Sequence, residues 1–329
     1  MRPKGCIIYC IEKGILEKHT ILSISSIKKF GGYLSLYDIY CFQPRKEFPI
    51  SNNTKKILSE FGVKFMDTPL NIKHRYYSMV NKSIVCDYMI KNFRYSQYVY
   101  LDGDTIILNE PTLLLNTSCD ISLSPVYTKG IGIDGITDKN YTYWKKLFDR
   151  TDADIENLPT VNTIFENEEI LGYWNGAVII NNKQNFFFQK WNDLVNHSLD
   201  NEIYKEAGIY FVEQTCLAAT ILSGSYSLET LPINYNFPLA YKMLDRIDES
   251  DFDEIVILHH LSDLQVLKKY ESVLKENYKY QWIQEKLLEL SIKPSSKKFN
   301  MARKIEQIEK GIKERLYYFI YKFTNKYFV

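Results

Sequence analysis

Two carboxylates one residue apart, Asp102 and Asp104, close the apolar run Tyr98-Val-Tyr-Leu and precede Thr105-Ile-Ile-Leu108. An apolar strand of a parallel sheet that ends in two carboxylates presents them beyond its carboxyl edge, where ligands of open α/β folds bind. Hard oxygen donors suit Mn²⁺ or Mg²⁺, which keep positions open for phosphate oxygens and act on them as Lewis acids. Gly103 between the two lets a ligand approach the backbone closely. The plainer alternative is a solvated Asp-Gly-Asp turn. A second apolar run, Ile255-Val-Ile-Leu258, ends in His259-His260, and the chain has only 5 histidines. Imidazole joins carboxylates around Mn²⁺, so His259 is the expected third metal ligand, His260 the second choice, with capping or packing histidines as the alternative.

Two further groups have the right types for chemistry. Trp174-Asn175-Gly176 opens the run Ala177-Val-Ile-Ile180. An aromatic and an amide at the mouth of a strand can stack on a sugar ring and bond its hydroxyls, with Gly176 allowing close approach; a β-bulge beside the core is the alternative. Glu213-Gln214 stands at a helix start, where the carboxylate can act as general base, stabilise charge at a reacting carbon, or cap its helix.

These groups need a frame. Strand-length apolar runs alternate with helix-period stretches through the first part of the chain, the pattern of βαβ crossovers in a parallel sheet. Strands are expected at Gly5–Ile11, Leu36–Phe42, Val63–Met66, Tyr98–Tyr100, Ile121–Pro125, Tyr173–Ile180 and Glu254–Leu258. Helices are expected at Leu16–Phe30, Thr54–Phe61, Met79–Asn92, Asn185–His197 and Tyr210–Leu222. Tyr127 to Glu169 reads as a polar, loop-rich insertion with a helix near Tyr143–Phe148, suited to a lid, a binding insertion or an acceptor platform.

The net charge of +1 over 329 residues argues against nucleic acid as partner, because duplex binding needs a concentrated basic field. The charge is uneven, however. Lys293 to Val329 holds ten Lys/Arg against three Glu, a net +7, leaving −6 for the rest. In this tail Ile305, Ile308, Ile312, Leu316, Phe319 (or Ile320) and Phe323 recur at helical spacing, while Lys304, Lys310, Lys313, Lys322 and Lys326 lie elsewhere. Such a helix is expected either to lie on an anionic membrane or to pack on the main domain or a dimer partner. Six scattered cysteines without a CxxC pair fit free thiols in a reducing compartment. With no apolar segment of spanning length and no export signal, a cytoplasmic protein is expected, with a peripheral membrane position as the alternative that the tail offers.

In this order the motifs resemble the GT-A nucleotide-diphospho-sugar glycosyltransferases, with the nearest look to family 8, the group of glycogenin and bacterial lipopolysaccharide galactosyltransferases. Tyr100 to Asp104 is similar to the family's metal strand, Asn175 to Asn181 to its sugar-pocket strand, Glu213-Gln214 to its Asp-Gln helix start, and Leu258-His259 to its closing strand. Leu231 to Asn236 resembles a further family segment. The resemblance implies an α/β fold with a mixed, mainly parallel sheet flanked by helices, followed by the basic helical tail. It implies a catalytic domain over 1–292, with a nucleotide-sugar half at about 1–125 and an acceptor half at about 126–292, and the tail at 293–329. It places the uracil near Ile11 and Glu12, with Gln43 and Arg45 close by, and the diphosphate near Lys82 or, alternatively, Arg75.

The implied reaction moves a hexose from a UDP-sugar, with Mn²⁺ or Mg²⁺, to a hydroxyl of a glycan, glycolipid or protein. Retention of configuration is favoured over inversion. Asp102, Gly103, Asp104, Trp174 and Gly176 would line the donor, and Glu213, Gln214 and Asn175 the reaction centre. Two other readings compete. A haloacid-dehalogenase-like phosphatase also has Asp-x-Asp after a strand, with the first Asp as nucleophile, but expects Gly-Thr where Thr105-Ile106 stands. A degenerate sugar-nucleotide binder would bind donor without turnover.

Overall fold

In the computed structural model, residues 5–151, 153–239, 248–260, 264–292 and 297–327 are described. Of the expected tail, Lys293 to Ser296 and Phe328, and the side chains of Lys304, Ile305 and Lys326, lie outside the described residues. The chain opens with β1 (Gly5–Cys10), α1 (Ile15–Phe30), β2 (Asp38–Phe42), α2 (Asn52–Glu60), β3 (Lys64–Met66), α3 (Val80–Asn92), β4 (Gln97–Leu101) and β5 (Thr105–Ile107). It continues through α4 (Thr112–Asn116), β6 (Ile121–Pro125), α5 (Tyr141–Phe148), β7 (Thr160–Asn162), β8 (Glu169–Leu171), β9 (Trp174–Asn181), α6 (Phe187–Asp200), α7 (Val212–Leu222) and β10 (Leu228–Thr230). It ends with β11 (Phe237–Pro238), α8 (Glu249–Glu254), β12 (Ile257–His259), α9 (Glu271–Leu274), α10 (Tyr278–Glu289) and α11 (Lys297–Tyr327).

The strands form a seven-stranded sheet of order β10-β6-β9-β4-β1-β2-β3, a three-stranded sheet β11-β12-β5 and a β7-β8 pair. The long sheet is mainly parallel: β1 pairs with β4, β2 with β3 and β6 with β10 in that sense, while β9 is antiparallel to both neighbours. This is the mixed, mainly parallel, helix-flanked α/β arrangement expected. By internal contacts the chain forms two compact units, the first Met1–Ile8, Met79–Leu101 and Thr112–Ile233, the second Tyr9–Ser78, Asp102–Pro111 and Asn234–Val329.

In the first unit α3, α6 and α7 pack together, and Phe187, Phe188 and Trp191 of α6 and Cys216 of α7 are buried. The polar stretch after β6 is more ordered than its composition suggests. Thr160 pairs with Leu171 and Asn162 with Glu169 in a short hairpin, with strands of three residues each, too short for an alternation to show.

In the second unit α1 begins after Gly14, whose φ of 109° favours glycine, and Glu17 accepts from Gly14 N at 3.0 Å and Ser51 N at 2.8 Å. The helix then packs on β5, where Ser26 Oγ accepts from Ile107 N at 2.8 Å. Two expected strands start later than the sequence suggests. Gly32–Leu36 is a 3-10 turn before β2, and Glu254 ends α8, whose start Asp248 caps by accepting from Asp251 N; the capping carboxylate outweighs the apolar pattern there.

Candidate active site

The second unit builds the carboxylate–histidine group. After β4 the chain turns tightly, with the Asp102 carbonyl accepting from Thr105 N at 3.1 Å and from its hydroxyl at 2.8 Å. The next strand pairs antiparallel with β12, His259 opposite Thr105, and His260 N donates to the Asp104 carbonyl at 3.0 Å. This ladder sets His259 Nε2 3.4 Å from Asp104 Oδ1. One donor atom from each of Asp102, Asp104 and His259 lies within 4.8 Å of the others. These three side chains could hold a divalent cation, whose ligands at bonds of about 2.1 Å sit about 3 to 4 Å apart.

The surroundings tune this group. Burial pushes the Asp104 carboxyl up, but His259, then His260 and His19, outweigh it and hold the carboxyl well below its usual range. His260 is fully buried, and burial together with His19 pushes its imidazole far below the ordinary value. Its ring meets that of His19 edge-on at 4.6 Å, and neither of its ring nitrogens has a hydrogen-bond partner among the described residues. The geometry thus brings His259, not His260, to the two aspartates. Gly103 is required by packing: a Cβ there would meet Thr20 Oγ1 at 2.6 Å. His19 and Thr20 were not singled out from the sequence; the scarcity of histidine was the only signal that could have flagged the first.

The same unit gathers Ile11, Glu12, Gln43 and Arg45, but buries them. Ile11 and Arg45 are 0% exposed and Glu12 3%, so none of the three presents a surface for a ligand to touch. Arg45 grips Glu12 through two bonds of 2.6 and 2.7 Å, and also donates to the Arg75 carbonyl at 2.6 Å. Gln43 bonds Asp67 and Ile50 N. Arg75 pairs with Glu47 at 2.8 Å and lies 5.3 Å from the Tyr317 ring centroid.

The first unit holds a different cluster. Glu213 stands in the first turn of α7, where the helix dipole favours an anion. Its Oε2 is 3.9 Å from Lys82 Nζ, and both side chains are buried. Lys82 donates to the Gly176 carbonyl at 3.3 Å, and a Cβ on Gly176 would come within 3.0 Å of Glu213 Oε1. Trp191 Nε1 donates to the Glu213 carbonyl at 2.9 Å. Burial raises the Tyr173 hydroxyl and the Glu213 charge raises it further, against a smaller opposing effect of Gln214. Asn175 is half-buried and folds its amide oxygen onto Ala177 N at 2.9 Å. Trp174 corrects an expectation. It is 1% exposed, its ring lies against Gly172 beside Leu222, and the register of β6 against β9 shifts here. The aromatic at the strand mouth is therefore core beside an irregularity, not a stacking surface.

Residues 7–224 match the Rhodobacterales glycosyltransferase domain. The chain belongs to that family. The glycosyltransferase reading is borne out, and the chain is an enzyme of the transferase class. Among solved structures the fold is similar to the galactosyltransferase LgtC in complex with donor and acceptor sugar analogs (14% identity, TM-score 0.47, covering 88% of this chain and 98% of that one). It is also similar to mouse xyloside xylosyltransferase 1 in apo form (11%, 0.46, 80% and 99%) and to core-mannan synthase A from Aspergillus fumigatus in a Mn/GDP form (9%, 0.46, 70% and 73%). No curated protein matches the sequence.

Proposed function

We propose that this glycosyltransferase moves a hexose from a UDP-sugar to a hydroxyl of a glycan, glycolipid or protein, with a divalent cation, Mn²⁺ before Mg²⁺, held by Asp102, Asp104 and His259. The observation that carries the reading is the convergence of these three donors within 4.8 Å. A cation bound there supplies positive charge to the diphosphate oxygens of the donor. Gly103 keeps the turn free of side-chain bulk. Lys82 offers a further positive charge for the departing diphosphate. Glu213, with Gln214 and Asn175, is assigned to the reaction centre: as a carboxylate it stabilises positive charge at the anomeric carbon if configuration is retained, the outcome we favour, and takes the acceptor's proton if it is inverted.

The test is thermal stabilisation by UDP with and without Mn²⁺, together with UDP release from a panel of UDP-sugars. Ligand at a hundredfold excess over its dissociation constant stabilises by about 2.7 kcal/mol. A Mn²⁺-dependent shift with slow release from one sugar supports the proposal. Binding without release from any sugar, with acceptors present, turns it into a non-catalytic binder, and no response to UDP ends the UDP assignment.

A peripheral position on an anionic membrane is supported by the outer face of α11. Ile308, Ile312, Leu316, Phe319 and Phe323 are all more than half exposed, on a helix within a segment of net charge +7. Interfacial helices combine such an apolar stripe with basic flanks. Co-sedimentation with anionic but not neutral vesicles, weakened about tenfold or more by Phe319→Glu, is expected; equal binding to both, or to neither, refutes it.

A further inference from the structure

The helix α11 turns its apolar stripe outward and docks on its own unit by the opposite, polar and aromatic face. Lys310 Nζ reaches Glu12 Oε2 at 2.9 Å and Glu314 Oε1 reaches Arg45 Nη1 at 2.9 Å. Tyr318 and Tyr321 meet the ring of Tyr76, each at 5.1 Å between centroids, and Tyr321 also meets His74 at 5.3 Å. Lys310 and Lys313 lie 5.6 and 5.4 Å from the centroid of Phe48. Glu12 follows β1 and Arg45 follows β2, so the helix clamps the two strand ends at which the uracil of the donor is expected.

The four charged groups alternate in sign, Lys310, Glu12, Arg45, Glu314, with no net charge. A buried ion pair is tolerated only when its remaining donors and acceptors are satisfied. Glu12 and Arg45 alone leave Arg45 Nη1 with only the Arg75 carbonyl; Glu314 supplies a charged acceptor, and Lys310 a second cation for Glu12. Burial pushes the Glu12 carboxyl up, yet Arg45 and then Lys310 hold it below its ordinary value. Ile11 N donates to the Phe42 carbonyl at 2.8 Å, which ties the two strand ends that the charge network locks.

We infer that Lys310 and Glu314 are positioning residues of the nucleotide site, acting through Glu12 and Arg45 on the loops after β1 and β2. The tail helix is then a working part of donor binding and not a detachable anchor. The inference rests on the UDP-sugar reading above together with the place beside these loops that the resemblance to the GT-A enzymes implies for the uracil; Glu12 and Arg45, being buried, act on the loops and not on the ligand. It goes beyond that reading in assigning donor affinity to residues far along the chain from the metal motif.

The experiment uses the full chain with Glu314→Gln, Lys310→Met and the conservative Glu314→Asp. It measures UDP binding in saturating Mn²⁺, KM and kcat for the UDP-sugar that wild type turns over, and the melting temperature without ligand. Loss of one hydrogen bond to a charged group is expected to raise KM and the UDP dissociation constant about tenfold, leave kcat within about twofold, and be largely restored in Glu314→Asp. A lower melting temperature with unchanged KM reduces the contacts to structural support and overturns the inference. Tighter UDP binding in the variants overturns it in the other direction, making the helix a shield. Wild type that binds no UDP removes the UDP-sugar reading itself and the inference with it, a result separable from the other two because it appears before any variant is compared.

Discussion

The two units each hold a buried or half-buried carboxylate beside a nitrogen base, and they handle it in opposite ways. In the second unit Asp104 is set against imidazoles, His259 at 3.4 Å and His260 and His19 behind it, with Asp102 converging on the same point. Two carboxylates and an imidazole are donor types that a divalent cation such as Mn²⁺ accepts. In the first unit Glu213 is buried with a lysine as counter-ion and a glycine pressed against it. That arrangement is neutral as it stands and fixes the direction of a carboxylate. On the proposed reading one cluster takes up a cation, and the other holds a charge in place.

The comparison breaks most visibly at Asp104. Asp104→Asn removes one of two anionic donors, and a metal worth several kcal/mol to the transition state implies a fall in kcat/KM of about 10³ or more, with loss of Mn²⁺-dependent UDP stabilisation. Retained Mn²⁺ dependence in that variant would remove the metal role from this cluster. Next in size is the buried pair. Lys82→Met strands Glu213 and is expected to destabilise the protein by about 3 kcal/mol, with much of this recovered in Lys82→Met/Glu213→Gln. Lys82 is assigned to the diphosphate and not to the cation, so the Mn²⁺ affinity measured without nucleotide should stay within about twofold, and a parallel loss would show that the two clusters are coupled. The smallest effect sits at the turn itself. Gly103→Ala forces a methyl against Thr20 and is expected to cost about 1–3 kcal/mol, relieved by Thr20→Ala, since the Thr20 hydroxyl has no partner among the described residues. If melting temperatures show no relief in the double variant, packing against Thr20 is not why position 103 is glycine.

Legibility differed by region for physical reasons. The strand before Asp102 and the one before His259 are buried on both faces, so each reads as an unbroken apolar run whose end is easy to see. The short hairpin of β7 and β8 gave no such run. An aromatic at a strand end such as Trp174 has the same sequence signature whether it is a stacking ring or core beside a bulge. Glu12 and Arg45 pair under cover, and the α11 residues that meet them, Lys310 and Glu314, lie at the other end of the chain. The tail's helical period was plain; that its apolar stripe faces outward was not, because periodicity defines a face but not what it meets.

By itself the sequence determined the α/β alternation, the two carboxylates at the end of one strand, the histidine at the end of another and the amphipathic basic tail. These are local patterns, written in the order and period of neighbouring residues. Only the tertiary structure decided that His259 and not His260 reaches the aspartates, that Lys82 is the counter-ion of Glu213, and that Lys310 and Glu314 close a charge network with Glu12 and Arg45. Each of these is a contact between residues far apart in the chain, set by strand register and helix packing, and no local pattern encodes it.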